Sequence, residues 1–411
     1  MILDAIRERL FLPRTQHATV ERRIQSALEA RLEGRRGRSR SATARIVFQA
    51  HGIGAWTVDL SGSTATLSRG GAARATSTIA SDPDTLLDVL EGRVAGVSAF
   101  LDGSLHLRGN IAQSLEIDDL LPPRSRHSET PECKRITAGG LATFYLEAGP
   151  KDAPAVVFFH GLGATCASLL PTFMALAREY HVYSVDLPGF GESDKPLRPL
   201  HAAYHAQWAV AFLDAVGIER AHLIGNSMGG RLALEVGLRS PQRVDRLVLL
   251  APSLAWRRFR AGTRLVRLLR PELAALPLPV LHRFVVHSLR SMFARPDRIS
   301  RGAANAAADE FVRVFATPRG RIAFFHAARE IYLEQPHGLK GFWSRLPTLE
   351  APALFIFGDR DWLVPPGFVR YVRQALPSAR CEVFEDCGHI PQFEHPDRTN
   401  ERVRGFLTEK R

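Results

Sequence analysis

Apolar residues fall along this chain in two rhythms. In the first hundred residues they alternate with polar ones. Ala44 to Ala50, Gly54 to Leu60 and Thr64 to Arg69 read as short strands joined by Gly and Ser turns. Thr19 to Leu32, Asp84 to Leu90 and Val97 to Leu101 carry helical spacing. Farther on, the apolar residues come in unbroken runs. Ala155-Val156-Val157-Phe158-Phe159, Leu247-Val248-Leu249-Leu250-Ala251-Pro252 and Ala353-Leu354-Phe355-Ile356-Phe357 are such runs. Strands covered on both faces, as at the centre of a parallel sheet, need that pattern. The two rhythms predict two folds in one chain, separated by the polar, Pro- and Ser-containing stretch from Leu121 to Pro131.

Chemistry concentrates where the apolar runs end. Leu223-Ile224-Gly225-Asn226-Ser227-Met228-Gly229-Gly230 reads as a buried strand running into a sharp turn, with one serine between glycines. In that setting G-x-S-x-G is a nucleophile elbow, which exposes a serine oxygen above a sheet. Gly225 and Gly229 let neighbouring backbone pass where a Cβ would clash. A helix from Met228 to about Leu238 would leave free N–H groups beside the serine. The run at Ala155 ends in His160-Gly161-Leu162-Gly163. The run at Ala353 ends in Gly358-Asp359-Arg360-Asp361-Trp362-Leu363-Val364-Pro365, and Cys387-Gly388-His389-Ile390-Pro391 follows.

Serine, aspartate and histidine in that chain order resemble the α/β-hydrolase family over residues 138–411, and Asp186-Leu187-Pro188-Gly189-Phe190-Gly191-Glu192-Ser193 is similar to that family's segment ahead of the elbow. The resemblance implies a mostly parallel sheet with helices on both faces and a helical cap. It also implies roles. His389 would take the proton from Ser227, because imidazole titrates near neutral pH. Asp361 would hold the other ring nitrogen and stabilise the imidazolium. The backbone N–H groups of Met228 and Leu162 would receive the oxyanion, with His160 and Gly161 ordering that loop. Asp359 competes with Asp361. The family spacing G-x-x-D-x-x-x-P selects Asp361, with Gly358 and Pro365 at its ends, and leaves Asp359 as a loop residue.

The elbow residue prunes the chemistry. Epoxide hydrolases and haloalkane dehalogenases of this fold carry aspartate there, so serine favours acyl transfer through an acyl-enzyme. Carbon–carbon hydrolases of the meta-cleavage type share such elbows but commonly place tryptophan after the histidine, where this chain has Ile390. The expected reaction is hydrolysis of carboxylic esters, with carbon–carbon cleavage as the alternative. Neither needs a cofactor or a metal, and the 15 histidines show no H-E-x-x-H spacing.

Composition changes the picture in one region. The chain has 411 residues, 45% of them hydrophobic and 23% charged, as soluble globular domains do. No apolar run approaches the roughly 18 residues of a membrane span, and Met1 to Arg23 lacks a signal peptide's unbroken core. Four cysteines without a C-x-x-C pair fit free thiols and a cytoplasmic location. Net charge is +12, carried by 49 arginines and five lysines. Arginine with abundant alanine is what a high-GC bacterial genome produces, so residue choice alone says little. Location says more, since 15 arginines, no lysine and six acids lie between Trp256 and Gln335, within the expected cap at about 254–345. Leu265 to Arg270 and Val280 to Val286 mix apolar and basic residues at helical spacing. Two readings stay open: solvated arginines outside cap helices, or a peripheral surface resting on an anionic membrane. No nucleic-acid recognition motif accompanies the charge.

The N-terminal rhythm has its own resemblance. Ser81-Asp82-Pro83-Asp84-Thr85-Leu86-Leu87-Asp88-Val89-Leu90-Glu91-Gly92-Arg93, then Ala99-Phe100-Leu101-Asp102-Gly103-Ser104-Leu105-His106-Leu107-Arg108-Gly109-Asn110, are similar to the sterol carrier protein 2 family, with Ala55 to Leu60 fitting its early strand pair. That family implies an α+β domain, a curved sheet and helices around an apolar tunnel for fatty-acyl or sterol-like molecules. The expected organisation is a lipid-binding domain over 1–120, a linker over 121–137 and a hydrolase over 138–411. Together the resemblances imply a lipid-like ester as substrate. A lipid-binding or transfer protein with an auxiliary hydrolase domain is the reading from another class.

Overall fold

The computed structural model describes residues 14–35, 42–62, 64–123, 130–256, 263–268, 270–277 and 279–409. Most of the polar stretch after Pro123, and part of the first basic cap segment, lie outside those residues. The chain divides into two compact units. One comprises residues up to Cys133 together with Ser300–Glu310, and the other comprises Lys134–Ile299 and Phe311–Arg411.

In the first unit, β1 (Ala42–Ala50), β2 (Gly54–Gly62), β3 (Thr64–Arg69), β4 (Ser77–Ser81) and β5 (Leu105–Gly109) form one sheet in the order β3-β2-β1-β4-β5. β1 pairs antiparallel with β2, from Ala42 opposite Gly62 to Ala50 opposite Gly54. On its other side β1 runs parallel to β4. Helices Arg14–Arg35 and Pro83–Leu90 are the two longest helices among the described residues before Cys133. The second starts with Asp82, whose carboxylate accepts from the N–H groups of Asp84 and Thr85, and that cap explains why the helix begins there. Inside, Phe48, Trp56, Ile79, Leu86 and Leu107 are buried. Phe48, Ile79, Leu86, Leu105 and Leu115 line a mostly apolar cavity of about 30 Å³. Ligand pockets run to several hundred Å³, so the expected tunnel is nearly closed here, and an acyl chain would require this core to open. Arg31 is among the lining residues. Its guanidinium is buried and makes four hydrogen bonds, donating to the carbonyls of Val89, Leu90 and Leu121 and to Asp118.

The unit is not one continuous stretch of chain, which sequence did not reveal. Arg108 Nε donates to Asp309 Oδ2 at 2.5 Å, the Gly109 N–H donates to the same oxygen at 3.0 Å, and the Ile111 N–H reaches Glu310. A second difference is β4, whose Ser77-Thr78-Ile79-Ala80-Ser81 holds one large apolar residue and carries no sequence signal for a central strand.

The second unit is built on a sheet of β6 (Glu132–Ala138), β7 (Leu141–Ala148), β8 (Ala155–Phe159), β9 (His181–Val185), β10 (Ala221–Asn226), β11 (Val244–Leu250), β12 (Ala353–Gly358) and β13 (Arg380–Phe384). Their order is β13-β12-β11-β10-β8-β9-β7-β6. Every pair from β13 to β9 is parallel, and β7 joins β9 antiparallel. The unbroken apolar runs follow from this layout. Phe159, Leu223, Leu249, Phe355 and Phe357 pack against Trp208, Phe212, Leu232 and Val372 of the covering helices. Chain order reverses beside β10, whose neighbours are β8 and β11. Open α/β sheets form a crevice at the carboxyl ends of the strands where that reversal occurs; the Gly161 loop and Ser227 follow β8 and β10 there, and Asp361 and His389 follow the carboxyl ends of β12 and β13.

Candidate active site

Ser227 follows β10 with φ 53° and ψ −115°. A non-glycine residue in that region costs about 1–3 kcal/mol and is held by its surroundings. The Ser227 N–H donates to Leu250 O at 2.9 Å, and its carbonyl accepts from Ser253 and Arg231. The two glycines make the turn feasible. A Cβ at Gly225 would collide with the Gly229 carbonyl, and a Cβ at Gly229 with the Phe159 carbonyl. Helix Met228–Arg239 starts at once, so the N–H of Met228 is left free of the helix's own bonds. Buried Arg231 anchors this helix by bonding Glu334 and pairing with Glu235. Burial pushes the Glu235 carboxyl up, but Arg231, Arg345 and Arg239 outweigh it and bring it down to about 2.

β12 and β13 deliver the other two groups. Asp361 is buried after β12; its Oδ1 accepts from the N–H groups of Leu363 and Val364, both at 2.9 Å. Its Oδ2 lies 2.7 Å from His389 Nδ1. The backbone bonds fix the carboxylate, so the Nδ1 proton points at it and Nε2 is left for the crevice. Asp359, the competitor, accepts from the Cys387 N–H at 3.1 Å and pairs with Arg360 at 3.7 Å.

The structure brings His389 to the elbow through a residue that sequence reasoning passed over. Asn226, immediately before Ser227, donates from Nδ2 to Leu250 O at 3.0 Å and to His389 O at 3.2 Å. Its position inside the motif was the available signal. The Ser227 hydroxyl itself makes no hydrogen bond to His389 among the described residues; such bonds commonly tighten only in the substrate complex.

The loop after β8 passes the same point. A Cβ on Gly161 would touch Ser227 Cβ at 3.4 Å, and Leu162 follows, half-buried. Gly163 sits at φ 71°, under the rings of Phe311 and Phe324 from the cap. His160 is fully buried. Its Nδ1 lies 2.8 Å from Gly161 O, and its Nε2 accepts from the Leu187 N–H at 3.0 Å. Burial lowers its pKa to about 4, so the ring is neutral near pH 7 and braces the loop. Buried Asp186 supports the next one by accepting from the N–H groups of Cys166 and Glu192.

Nothing among the described residues groups three or more His, Cys, Asp or Glu as a metal site, all four cysteines are free thiols, and no described helix is long and apolar enough to cross a membrane.

Comparison with known proteins adds a frame. Residues 154–396, more than half the chain, match the alpha/beta hydrolase fold family, and residues 24–122 match the SCP-2 sterol transfer family. A 2-hydroxy-6-oxononadienedioate/2-hydroxy-6-oxononatrienedioate hydrolase from Paraburkholderia phymatum is 31% identical over 308 residues, spanning 68% of this chain and 97% of the relative. Among solved structures, a meta-cleavage product hydrolase from Pseudomonas fluorescens superposes with a TM-score of 0.55 at 25% identity, covering 67% of this chain and 97% of that one. Naproxen esterase from Bacillus subtilis superposes at 0.51 with 21% identity, covering 68% and 92%, which is a likeness of fold.

Proposed function

We propose, for a chain that belongs to the alpha/beta hydrolase family, that it cleaves carboxylic esters with apolar acyl groups through an acyl-enzyme on Ser227. The observation carrying this reading is the pairing of a strained serine elbow with a His389–Asp361 couple 2.7 Å apart. Ser227 Oγ attacks the ester carbonyl while its proton passes to His389 Nε2. The N–H groups of Met228 and Leu162 receive the oxyanion, each worth about 3 kcal/mol of barrier. The alkoxide leaves with the proton from His389. Water then attacks the acyl-enzyme with His389 as base, releasing the acid and restoring the serine.

Carbon–carbon cleavage is the second reading, favoured by the Paraburkholderia phymatum relative. That relative's name specifies a dioate, and a dianion needs cationic partners. Here the side chains over Gly163 are phenylalanines, in a cluster where Phe311, Phe315 and Phe324 meet at centroid distances of 5.3–5.6 Å. Such walls suit an acyl chain. Each buried methylene is worth about 0.8 kcal/mol, or roughly fourfold in rate. With p-nitrophenyl esters, kcat/KM should therefore climb by up to about two-hundredfold from acetate to hexanoate, which adds four methylenes. Rapid hydrolysis of a dienol-ketone with negligible ester turnover would install the second reading.

The N-terminal unit is read as the binder of the apolar ligand, on its match to the sterol transfer family and its apolar interior. The cap is read as a surface that meets an anionic membrane. Ten large apolar side chains are exposed among the described residues, and five of them crowd into one stretch: Leu268, Leu273, Leu276, Leu281 and Phe284. Exposed Arg267, Arg270 and Arg283 are interleaved with them. Apolar anchors with cations beside them fit the interface of an anionic bilayer. Sedimentation with phosphatidylglycerol vesicles should show binding that weakens steeply as salt rises. Absent or salt-independent binding would leave the arginines as a solvated face.

A further inference from the structure

The histidine loop is held from the cap side by a set of bonds that the triad does not require. The His389 N–H donates to Met292 O at 2.7 Å, and the Trp362 indole donates to Ser291 O at 2.8 Å. Gly388 lies so close that a Cβ there would collide with Met292 O. Arg298 donates to both the carbonyl and the carboxylate of Asp386, three residues before His389 and itself at φ 53°. At the centre is Glu394, buried behind the loop. Its Oε2 accepts from the Gly388 N–H at 2.6 Å, and its Oε1 accepts from the Arg295 N–H at 3.0 Å with Arg298 Nη1 3.5 Å away.

We propose that Glu394 is a positioning residue for His389, and that the cap segment Ser291 to Arg298 is the arm that holds it. The carboxylate has two oxygens with separate duties. One fixes the peptide N–H preceding His389, and the other is fixed by the cap. A buried anion with charged and N–H donors is stiff, because the alternative is an unpaired charge in a low-dielectric interior. The loop therefore enters the crevice at an angle that the cap sets, and the reach of His389 Nε2 toward Ser227 Oγ follows from that angle. The inference rests on the reading of Ser227 as the nucleophile.

The test compares Glu394→Gln, Arg298→Met and Arg298→Lys with the wild type. Glutamine keeps the shape of Glu394 but loses its charge and puts a donor where one of the two acceptor oxygens stood. A shift of about 1 Å in a base costs on the order of a hundredfold. For Glu394→Gln and Arg298→Met, kcat on p-nitrophenyl butyrate should fall about 10- to 100-fold with KM within about twofold. The rate at which a fluorophosphonate modifies Ser227 should fall by the same factor. Phosphonylation of Oγ, with fluoride as the leaving group, also needs His389 to take the proton, but needs no ester pocket. Arg298→Lys, which keeps the charge, should recover most of the loss. If Glu394→Gln does not fold by circular dichroism, Arg298→Met carries the comparison.

Wild-type labelling with variants labelled at an equal rate overturns the positioning role. So does a loss that appears in KM alone, or one that Arg298→Lys does not restore. A wild type that the fluorophosphonate does not label at all overturns the nucleophile reading, and the positioning role with it.

Discussion

Ser227→Ala is expected to lower kcat on a soluble p-nitrophenyl ester by about a millionfold, with KM and thermal stability nearly unchanged. Loss of a serine nucleophile in a triad has that scale, because the remaining catalysis comes only from the oxyanion donors and substrate binding. The structure gives the reason stability should survive. The elbow is held by backbone bonds from Ser227 to Leu250, Ser253 and Arg231, and alanine keeps all three. It also accepts φ 53° about as well as serine does, since both carry a Cβ. Steady-state kinetics beside a melting curve decide the matter. Turnover within tenfold of the wild type would remove Ser227 from the mechanism, while a large fall in melting temperature would mean that the loss came from the fold.

Asp361→Asn should lower kcat by about ten-thousandfold, whereas Asp359→Asn should cost less than about tenfold. The first figure is that of a triad whose aspartate becomes an amide and leaves the imidazole in the wrong tautomer. Here Asp361 Oδ1 is committed to the N–H groups of Leu363 and Val364, and Oδ2 to His389. An amide would keep its oxygen on the two N–H groups and turn its NH₂ toward Nδ1. The ring would then place its proton on Nε2, where the base must be free. Asp359 serves the same loop differently, through the Cys387 N–H, a bond an asparagine oxygen can still accept. Equal losses from the two variants would mean that the loop, and not the carboxylate facing His389, sets the rate.

These two predictions depend unequally on sequence. The strained turn at Ser227 and the loop carrying His389 were legible because a Gly-flanked turn and a Gly-His loop are local: a few adjacent residues must create a strained turn or end a strand. Asp361 was legible only through spacing, since two aspartates lie within three residues, and choosing between them is a matter of which carboxylate faces a ring 28 positions away. Asn226 and Glu394 were not legible as partners of the histidine loop. Asparagine at the end of a strand and glutamate in the one-turn helix Pro391–Glu394 are ordinary, and their meaning comes from hydrogen bonds to backbone atoms, which leave no residue-type signature on the other side.

The fold divides the same way. Strands covered on both faces must be apolar throughout, so β8, β11 and β12 could be read directly. β4 could not, because a short strand between two others is held by backbone bonds to β1 and β5 while Ser77, Thr78 and Ser81 add no apolar pattern. Ser300–Glu310 could not be assigned to the first unit either, since its attachment runs through Asp309 and Glu310 to residues some 200 positions earlier.

By itself the sequence determined the families that residues 24–122 and 154–396 match, and it marked a Gly-flanked serine turn followed by Asp- and His-bearing segments, because local backbone strain and burial periodicity restrict which residues can stand there. Tertiary structure decided which aspartate faces His389, what holds the histidine loop, and how little room the N-terminal core leaves. Those outcomes depend on distances between segments far apart in the chain, and the free energy that fixes them is shared among backbone groups common to every residue.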